Sequence, residues 1–271
     1  MALSEYTAFK LAASLQEAER TRIQVTQFSL LYPNITVEDA YAVQREFVRL
    51  KIAEGREPIG HKIGLPSRAI QRSSNIAEAH YGMLLDDMLF RNGAEIPFKR
   101  FIAPSIEVVL SFILKANLNG PHCTVFDVLK ATDYVVPALE IVDARIQQVD
   151  PATNTTRKVF DTISDNAANG GIVLGGRPIK PLDVDLRRAS AVLYRNENIE
   201  ESGFVAAVFN HPANGLVWLA NKLHSLGVEL RAGQIILGGS FTAPVSVRPG
   251  DAFYADYGEF GSITCSFDRK L

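Results

Sequence analysis

The sequence has few cysteines and no excess of charge, and each shortage excludes a class of protein. Only two cysteines, Cys123 and Cys265, occur among 271 residues, and they form no C-x-x-C motif. This usage argues against a disulfide framework and a thiolate metal site, and it predicts a reducing, cytoplasmic location. The formal net charge is −2, so we expect no basic surface for nucleic acid or for an anionic membrane.

Long apolar runs and nucleotide-binding motifs are also missing. No apolar run is long enough to span a bilayer, and the first residues lack the charged and apolar regions of a signal peptide. The glycines form neither G-x-G-x-x-G after a strand nor a phosphate-binding loop, so nucleotide binding has no support. What is present is an ordinary globular composition, with 47% apolar and 21% charged residues, which suits a substantial core.

The N-terminal part of the chain is predicted to be helical and the remainder to be rich in strands. Helical patterns cover 4–22 and 36–55, and the second follows a capping box that begins at Thr36. Further along, short apolar runs alternate with glycine and proline turns, which is typical of strands. We therefore expect a mixed α/β protein with an N-terminal helical region at 1–58 and a catalytic, β-rich domain at 59–271.

Two apolar strands each carry a glutamate. The run 104–114 alternates strictly around Glu107, and the run 134–142 holds Glu140 together with Pro137, which predicts an edge position or a bulge. A bare buried carboxylate would cost several kcal/mol, so each is paired, hydrogen-bonded or bound to a cation. Either glutamate alone would more often form a structural salt bridge. Together they favour an oxygen-lined site for a hard cation.

Two shorter motifs carry further candidates. Lys62 lies between glycines at 60–64, where it is either a partly desolvated acid–base group or a surface lysine at a strand end. Composition alone favours the surface lysine. Asp86 and Asp87 end an apolar run, where they either cap a turn or supply a catalytic carboxylate.

Small polar residues follow in two places. The stretch 158–171, which includes Ser164, has the composition of a binding loop or of a plain tight turn. The predicted strand 235–242 ends at Ser240 and Thr242, where hydroxyl and backbone N–H groups can hold a ligand carboxylate.

Seven motifs spread over nearly the whole chain carry a family resemblance. They are G-H-K-I-G-L at 60–65, Y-G-M-L-L-D-D-M at 81–88, I-E-V at 106–108, P-A-L-E at 137–140, K-V-F-D-T-I-S-D-N-A-A-N at 158–169, N-H-P-A-N-G at 210–215 and G-G-S-F-T at 238–242. In this order they resemble the 2-keto-4-pentenoate hydratase and 2-oxo-hept-4-ene-1,7-dioate hydratase family of the fumarylacetoacetate hydrolase superfamily.

The resemblance implies a fold, an activity and a cofactor. The fold is a mixed α/β structure around a rolled β-sheet, assembled as a homo-oligomer that binds Mg²⁺ or Mn²⁺. The activity is that of a lyase of aromatic-compound catabolism, which adds water to a 2-hydroxy-2,4-dienoate or its 2-oxo tautomer and yields a 4-hydroxy-2-oxo acid. The substrate's carboxylate and 2-oxygen chelate the metal, which acts as a Lewis acid.

The matching positions also imply site residues of three kinds. They are the metal ligands Glu107 and Glu140, the acid–base or orienting group Lys62 with Asp86 or Asp87, and the substrate contacts Ser164, Ser240 and Thr242.

Four departures from the family pattern weaken that site. Val109 replaces the second acid of the usual E-x-E and shares a face with Glu107, which predicts weak metal binding. Pro66 removes a hydroxyl and a backbone N–H. Ser105 and Ala243 stand where relatives tend to have arginine, which predicts a preference for a 2-oxo acid whose far end is neutral.

Three interpretations therefore compete. The first is a working hydratase in which water replaces the lost ligand. The second is a diverged decarboxylase, isomerase or cyclase with weak or no metal dependence. The third is a non-catalytic homologue that acts as a binding partner.

Overall fold

Capping side chains start the N-terminal helices. Helix α1 spans Glu5–Thr21, and its N-cap Ser4 accepts a hydrogen bond from the N–H of Thr7. Helix α2 spans Phe28–Leu31, and α3 spans Val37–Ala53 behind the predicted capping box. The structure is a computed structural model that describes residues 2–64 and 79–270.

The strands and the remaining helices follow in chain order. The described strands are β1 Pro58–Gly64, β2 His80–Leu85, β3 Leu89–Arg91, β4 Glu95–Ile96, β5 Pro104–Leu114, β6 Thr132–Asp143, β7 Asn169–Leu174, β8 Ser190–Arg195, β9 Asn198–Phe204, β10 Ile235–Ser240, β11 Val245–Ser246, β12 Ala252–Asp256 and β13 Ser262–Phe267. The described helices beyond α3 are α4 Val125–Ala131, α5 Val159–Ser164 and α6 Ala213–His224. Single 3-10 turns lie at Asp86–Met88, Phe98–Arg100, Asn166–Ala168, Leu186–Arg188, Val205–Ala207 and Gly258–Phe260.

Two mixed sheets form the body of the protein. The larger has the order β2-β1-β10-β5-β6-β7-β3, with β11 paired to β5. Its β1–β10 and β3–β7 pairs are parallel and its other pairs are antiparallel. The smaller has the order β4-β13-β12-β8-β9. The mixed α/β fold predicted from the sequence is confirmed.

The larger sheet is rolled. Its two edge strands, β2 and β3, are consecutive in the chain and are separated only by the turn Asp86–Met88. From Leu85 to Leu89 an extended chain reaches at most about 14 Å, so the two edges of the sheet must come close together. The rolled β-sheet expected from the family resemblance is therefore confirmed.

Asparagine side chains close the seam between the two edges. Asn166 accepts the N–H of Met83 at 2.7 Å and donates to its C=O at 2.9 Å, and Asn169 donates to the same C=O at 3.1 Å. These amides satisfy backbone groups that an edge strand would otherwise leave open. The stretch 158–171 is thus helix α5, a left-handed turn and the start of β7. The prediction of a loop or a simple tight turn there was wrong, because tertiary contacts at the seam stabilise a short helix.

Pro137 also departs from the prediction. Strand β6 lies in the middle of the sheet, between β5 and β7, and the ladder continues regularly past Pro137. The N–H of Gly175 donates to the C=O of Pro137, so the imino nitrogen faces a position beyond Leu174, where β7 has already ended. The missing donor therefore breaks no ladder hydrogen bond, and neither an edge nor a bulge is needed.

The N-terminal helices pack against the body through apolar and ionic contacts. Leu15, Phe28 and Phe47 belong to an apolar cluster that also contains Ile146 from the segment after β6. Beneath it lies a buried ion network, called here the Arg145 cluster, made of Glu19, Lys51, Asp143, Arg145 and Asp165.

The predicted division of the chain near residue 58 stays a prediction. No described helix combines the length and hydropathy that crossing a membrane would require.

Candidate active site

Cross-strand register places charged side chains on one face of the rolled sheet. Lys62 pairs with Leu237, Leu237 with Ser111, and Glu107 with Glu140, so these side chains point the same way. We call this the inner face, defined by Lys62, Glu107, Ser111 and Glu140. The opposite face of β5 carries Ile106, Val108, Leu110, Phe112 and Leu114, all in the main apolar core. The alternation predicted for β5 is confirmed.

Lys62 and Glu140 form a buried ion pair on the inner face. Nζ of Lys62 lies 2.5 Å from Oε1 of Glu140, and the two side chains are 5% and 1% exposed. The contact lacks hydrogen-bond geometry, and Oε1 has no other partner among the described residues. Lys62 is therefore not the surface lysine that composition favoured.

Glu107 stands directly across the strand pair from Glu140. Burial and the nearby Glu140 charge raise the pKa of Glu107 to about 8, and Lys62 offsets only part of this effect. The structure thus brings two carboxylates together with a single ammonium group. A cation bound between the two carboxylates would relieve their repulsion and favour the ionised form of Glu107.

The surroundings of these charges are apolar. Val109 packs in a separate buried cluster on the inner face, whose members are Leu84, Val109, Ala138, Ile172, Ile235 and Leu237. The methyl groups of Val109 therefore occupy the position from which a second acid of an E-x-E motif would face Glu107. In such a low-dielectric environment electrostatic interactions are stronger than in water.

The donor set fits a hard divalent cation, although it is small. Among residues 2–64 and 79–270 no group of three or more His, Cys, Asp or Glu side chains is placed to bind a metal. Glu107 and Glu140 nevertheless supply facing carboxylate oxygens, the ligand type that Mg²⁺ and Mn²⁺ prefer, and Mg²⁺ commonly keeps several waters. The chemistry of the site matches such an ion, with water or substrate oxygens completing its coordination.

The predicted substrate contacts have different surroundings. Ser164 is fully buried at the end of α5, and its Oγ has no partner among the described residues. Ser240 pairs with Val109 and so lies on the inner face, where its hydroxyl donates to the C=O of Thr242. The hydroxyl of Thr242 accepts the N–H of Val108 at 3.1 Å. Of the three hydroxyls, that of Ser164 is the least engaged.

Asp86 and Asp87 are not brought to the Lys62 site. Asp86 is exposed and accepts the N–H of Glu57 at 3.0 Å, the main cause of its lowered pKa. Asp87 pairs with Arg100 at 3.0 Å and with Arg56 at 3.5 Å. Both follow the end of β2, whereas Lys62 faces Gly82 in its middle. Their contacts support turn formation, and their catalytic role stays a prediction without a supporting contact.

Sequence reasoning missed one residue of the inner face. His80 pairs with Gly64 and alternates with Gly82 along β2, so its ring lies on the same face as Lys62. The strand period counted back from Gly82 could have located it.

Of the other three departures from the family pattern, the structure describes Ser105 and Ala243 but not Pro66. Pro66 and the nearby basic residues Arg68 and Arg72 lie outside the described residues. Ser105 is half-buried beside Ser246, and Ala243 is exposed.

Solved structures with the same architecture define the class. The chain matches the 4-oxalocrotonate decarboxylase of Pseudomonas putida complexed with magnesium and adipate, with a TM-score of 0.92 and 33% identity over 98% of this chain and 99% of that one. A fumarylacetoacetate hydrolase from Exiguobacterium antarcticum, 12% identical, matches with a TM-score of 0.59 over 79% of this chain and 76% of that one. The fold is that of the fumarylacetoacetate hydrolase superfamily.

Sequence relatives narrow the class further. The chain is 62% identical to the 2-oxo-hept-4-ene-1,7-dioate hydratase of Escherichia coli, over 97% of this chain and 98% of that one. It is 37% identical to the 2-keto-4-pentenoate hydratase of Paraburkholderia xenovorans, over 96% and 94%. No family model matches the chain. The chain belongs to the family of 2-keto-4-pentenoate and 2-oxo-hept-4-ene-1,7-dioate hydratases, and it is a hydro-lyase.

Proposed function

We propose that this hydratase adds water to a 2-hydroxy-2,4-dienoate, or its 2-oxo-4-enoate tautomer, in the breakdown of aromatic compounds. The observation that supports it best is the buried Lys62–Glu140 pair opposite Glu107, in a chain 62% identical to a hydratase of such a substrate. The product would be a 4-hydroxy-2-oxo acid.

Glu107 and Glu140 are the proposed ligands of Mg²⁺ or Mn²⁺. When bound, the ion supplies Lewis-acid polarisation of the substrate's 2-oxygen. Affinity should be weak, because Val109 leaves the site with two carboxylates and metal affinity falls with the charge and number of ligands. The solved relative that contains magnesium supports the choice of ion.

Lys62 is proposed to orient the substrate or to move a proton at Nζ. Its ammonium group is buried next to Glu140, so a substrate carboxylate or enolate oxygen nearby would gain a strong, weakly screened attraction. The apolar cluster around Val109 excludes bulk water from the inner face, which limits unproductive proton exchange.

The hydroxyl groups are proposed as substrate contacts of unequal weight. Ser164 has a free buried Oγ, which a substrate oxygen would satisfy. Ser240 lies on the inner face, but its proton is donated to Thr242. The hydroxyl of Thr242 holds Val108, so its contribution would come mainly through the shape of the strand end.

The setting of the enzyme is proposed from composition and family. A cytoplasmic location agrees with the two free, buried cysteines. The proposed enzyme is a homo-oligomer whose chain consists of a helical region at 1–58 and a catalytic domain at 59–271.

The test is turnover of two substrates, 2-hydroxypenta-2,4-dienoate and the heptenedioate, with Mg²⁺ titrated from zero into the millimolar range. We expect a 4-hydroxy-2-oxo acid from the wild type and almost none from Lys62→Met. Carbon dioxide release from 4-oxalocrotonate without hydration would contradict the proposal and favour the chemistry of the decarboxylase relative.

A further inference from the structure

His80 is a buried imidazole for which the family resemblance assigns no role. In the β1–β2 ladder His80 pairs with Gly64, and Gly82 pairs with Lys62. His80 and Lys62 are therefore diagonal neighbours on the inner face, a relation that separates the two backbones by roughly 7–8 Å and lets long side chains meet.

Gly64 provides the space that the ring occupies. A Cβ at Gly64 would lie 2.4 Å from Nε2 and 2.8 Å from Cε1 of His80, so the ring packs directly against the glycine backbone. The ring atoms nearest to that position are Nε2, Cε1 and Cδ2. Nδ1 is thus not the atom held against β1.

Nδ1 of His80 is an unsatisfied buried atom. His80 is 4% exposed, and Nδ1 has no hydrogen-bond partner among residues 2–64 and 79–270. Burial, together with the charges of Lys62 and Arg157, lowers the pKa of His80 to about 3, so the ring is neutral in the free protein. Leaving such an atom unpaired costs free energy, and a ligand that binds on the inner face can supply the missing partner.

The other acid–base candidates are less available. Asp86 and Asp87 are held by Glu57, Arg56 and Arg100 at the end of β2. His80 faces the same side of the sheet as the proposed substrate groups. Burial is the largest cause of the lowered pKa of His80, and an anionic substrate beside Lys62 would offset the smaller contribution of the positive charges.

Resting on the proposed function, we propose that His80 is the acid–base residue of the hydration step. Loss of the 2-hydroxyl proton and protonation at C5 first convert the 2-hydroxy-2,4-dienoate into the conjugated 2-oxo-3-enoate. As a water oxygen then bonds to C4 of this 2-oxo-3-enoate, Nδ1 of neutral His80 takes one water proton, and the C3=C4 electrons pass into an enolate. The imidazolium then gives that proton to C3. One H and one OH have been added, and His80 is neutral again. Lys62 is left to hold the negative charge of the substrate.

His61 provides a matched control for this proposal. It is also buried, at 2% exposure, and neither of its ring nitrogens has a partner among the described residues. It lies one residue from Lys62 on β1 and so points to the opposite face of the same sheet. A merely structural need for a buried histidine would affect the two positions alike.

The experiment compares His80→Gln with His61→Gln at saturating Mg²⁺. We expect His80→Gln to lower kcat by about 10²-fold or more with KM changed by less than about threefold, because binding would be kept and proton transfer lost. His61→Gln should keep the wild-type kcat. Equal losses in the two variants, or an unchanged kcat in His80→Gln, would overturn the proposal. Melting curves establish folding, and His80→Asn replaces His80→Gln if the latter is unfolded.

A second measurement separates this proposal from the proposed function. Exchange of the C3 hydrogens of 2-oxopentanoate in D₂O, followed by NMR, reports proton transfer without hydration. We expect exchange to be slower by a similar factor in His80→Gln and unchanged in His61→Gln; equal exchange rates would overturn the role of His80. If the wild type exchanged these hydrogens but hydrated neither substrate, the proposed function would be wrong. The exchange rates of the two variants would then still decide whether His80 transfers protons.

Discussion

Two buried charge clusters in this protein are built in opposite ways. In the Arg145 cluster, Arg145 bonds both carboxylate oxygens of Asp165 and the C=O groups of Asp165 and Asn169, and Asp143 accepts the N–H groups of Ile102 and Ala103. None of its members has an unpaired buried side-chain atom among the described residues. On the inner face, Oε1 of Glu140, Oγ of Ser111 and Nδ1 of His80 all lack a hydrogen bond.

The difference indicates that the Arg145 cluster stabilises the fold, whereas the inner face binds a ligand. A fully satisfied network holds helices α1 and α3 and the start of β7 in one arrangement, and nothing remains for a ligand to bind. An incompletely satisfied cluster in an apolar wall is costly to the free protein, and this cost is offset only when a ligand supplies the missing partners. Substitutions in the first cluster should therefore act on stability, and substitutions in the second on binding and turnover.

The largest expected effect is on stability, from Arg145→Met. Removing this side chain leaves Asp165 buried without its hydrogen-bonded counter-charge, which should lower the free energy of unfolding by about 3–5 kcal/mol. Urea denaturation followed by circular dichroism measures this loss. The control is Arg187→Met, which breaks the exposed pair with Asp185 and should change stability by at most about 1 kcal/mol. Similar losses of unfolding free energy in Arg145→Met and Arg187→Met would show that the Arg145 cluster has no special role in stability.

Lys62→Met should show the reverse pattern. We expect turnover to fall on the order of 10²-fold or more with the protein still folded, because the ammonium group acts on the substrate. Lys180→Met removes an exposed lysine that pairs with Asp133 and should leave turnover unchanged. Lys62→Arg sharpens the test, since arginine keeps the charge but cannot deprotonate at working pH. If Lys62→Met turned over substrate at the wild-type rate, the Lys62–Glu140 pair would have only a structural role.

Val109→Glu should strengthen metal binding. A third carboxylate on the inner face adds a ligand and a negative charge, and we expect roughly tenfold tighter Mg²⁺ binding from such a change. Titration calorimetry measures the affinity, and Val109→Gln separates the added charge from the added volume. Stoichiometric Mg²⁺ that survives dialysis of the wild type would show that two carboxylates already suffice.

The smallest expected effect concerns the far end of the substrate. Since Ala243 is exposed, Ala243→Arg should raise kcat/KM for the heptenedioate by only about two- to fivefold, the range of an exposed ion pair. The wild type should prefer 2-hydroxypenta-2,4-dienoate to the dicarboxylate. A clear wild-type preference for the dicarboxylate would mean that another basic residue already binds its second carboxylate.

The sequence predicted these clusters unequally. The strand period around Glu107 correctly placed its side chain on the face opposite Ile106 and Val108, because residues in a regular strand alternate. Its pairing with Glu140 is visible only in the register of the structure. Capping residues likewise located α1 and α3. The Arg145 cluster was not predicted, since it joins α1, α3, β6 and the turn after α5, which only tertiary packing brings together.

Errors arose where distant contacts override local preference. Pro137 is tolerated in a central strand because β7 ends before it, which the residue's own neighbours in sequence do not reveal. His80 was overlooked because a lone histidine gives no signal until its strand and face are known.

The position of β10 in the sequence also determines when the active site can first assemble during synthesis of the chain. Strand β10 lies between β1 and β5, and it pairs in parallel with β1 across most of the length of the chain. Lys62 on β1 and Glu140 on β6 are therefore synthesised long before β10. Among the described strands, only β10 joins the part of the sheet that contains β1 to the part that contains β5 and β6. Until β10 is synthesised, β1 and β5 each lack a hydrogen-bonded neighbour on the side that β10 will occupy, a state that favours aggregation and slow folding. A chain that stops short of Ile235 would contain the proposed metal ligands and acid–base residues, but not the strand that completes the sheet and aligns them, nor Ser240 and Thr242.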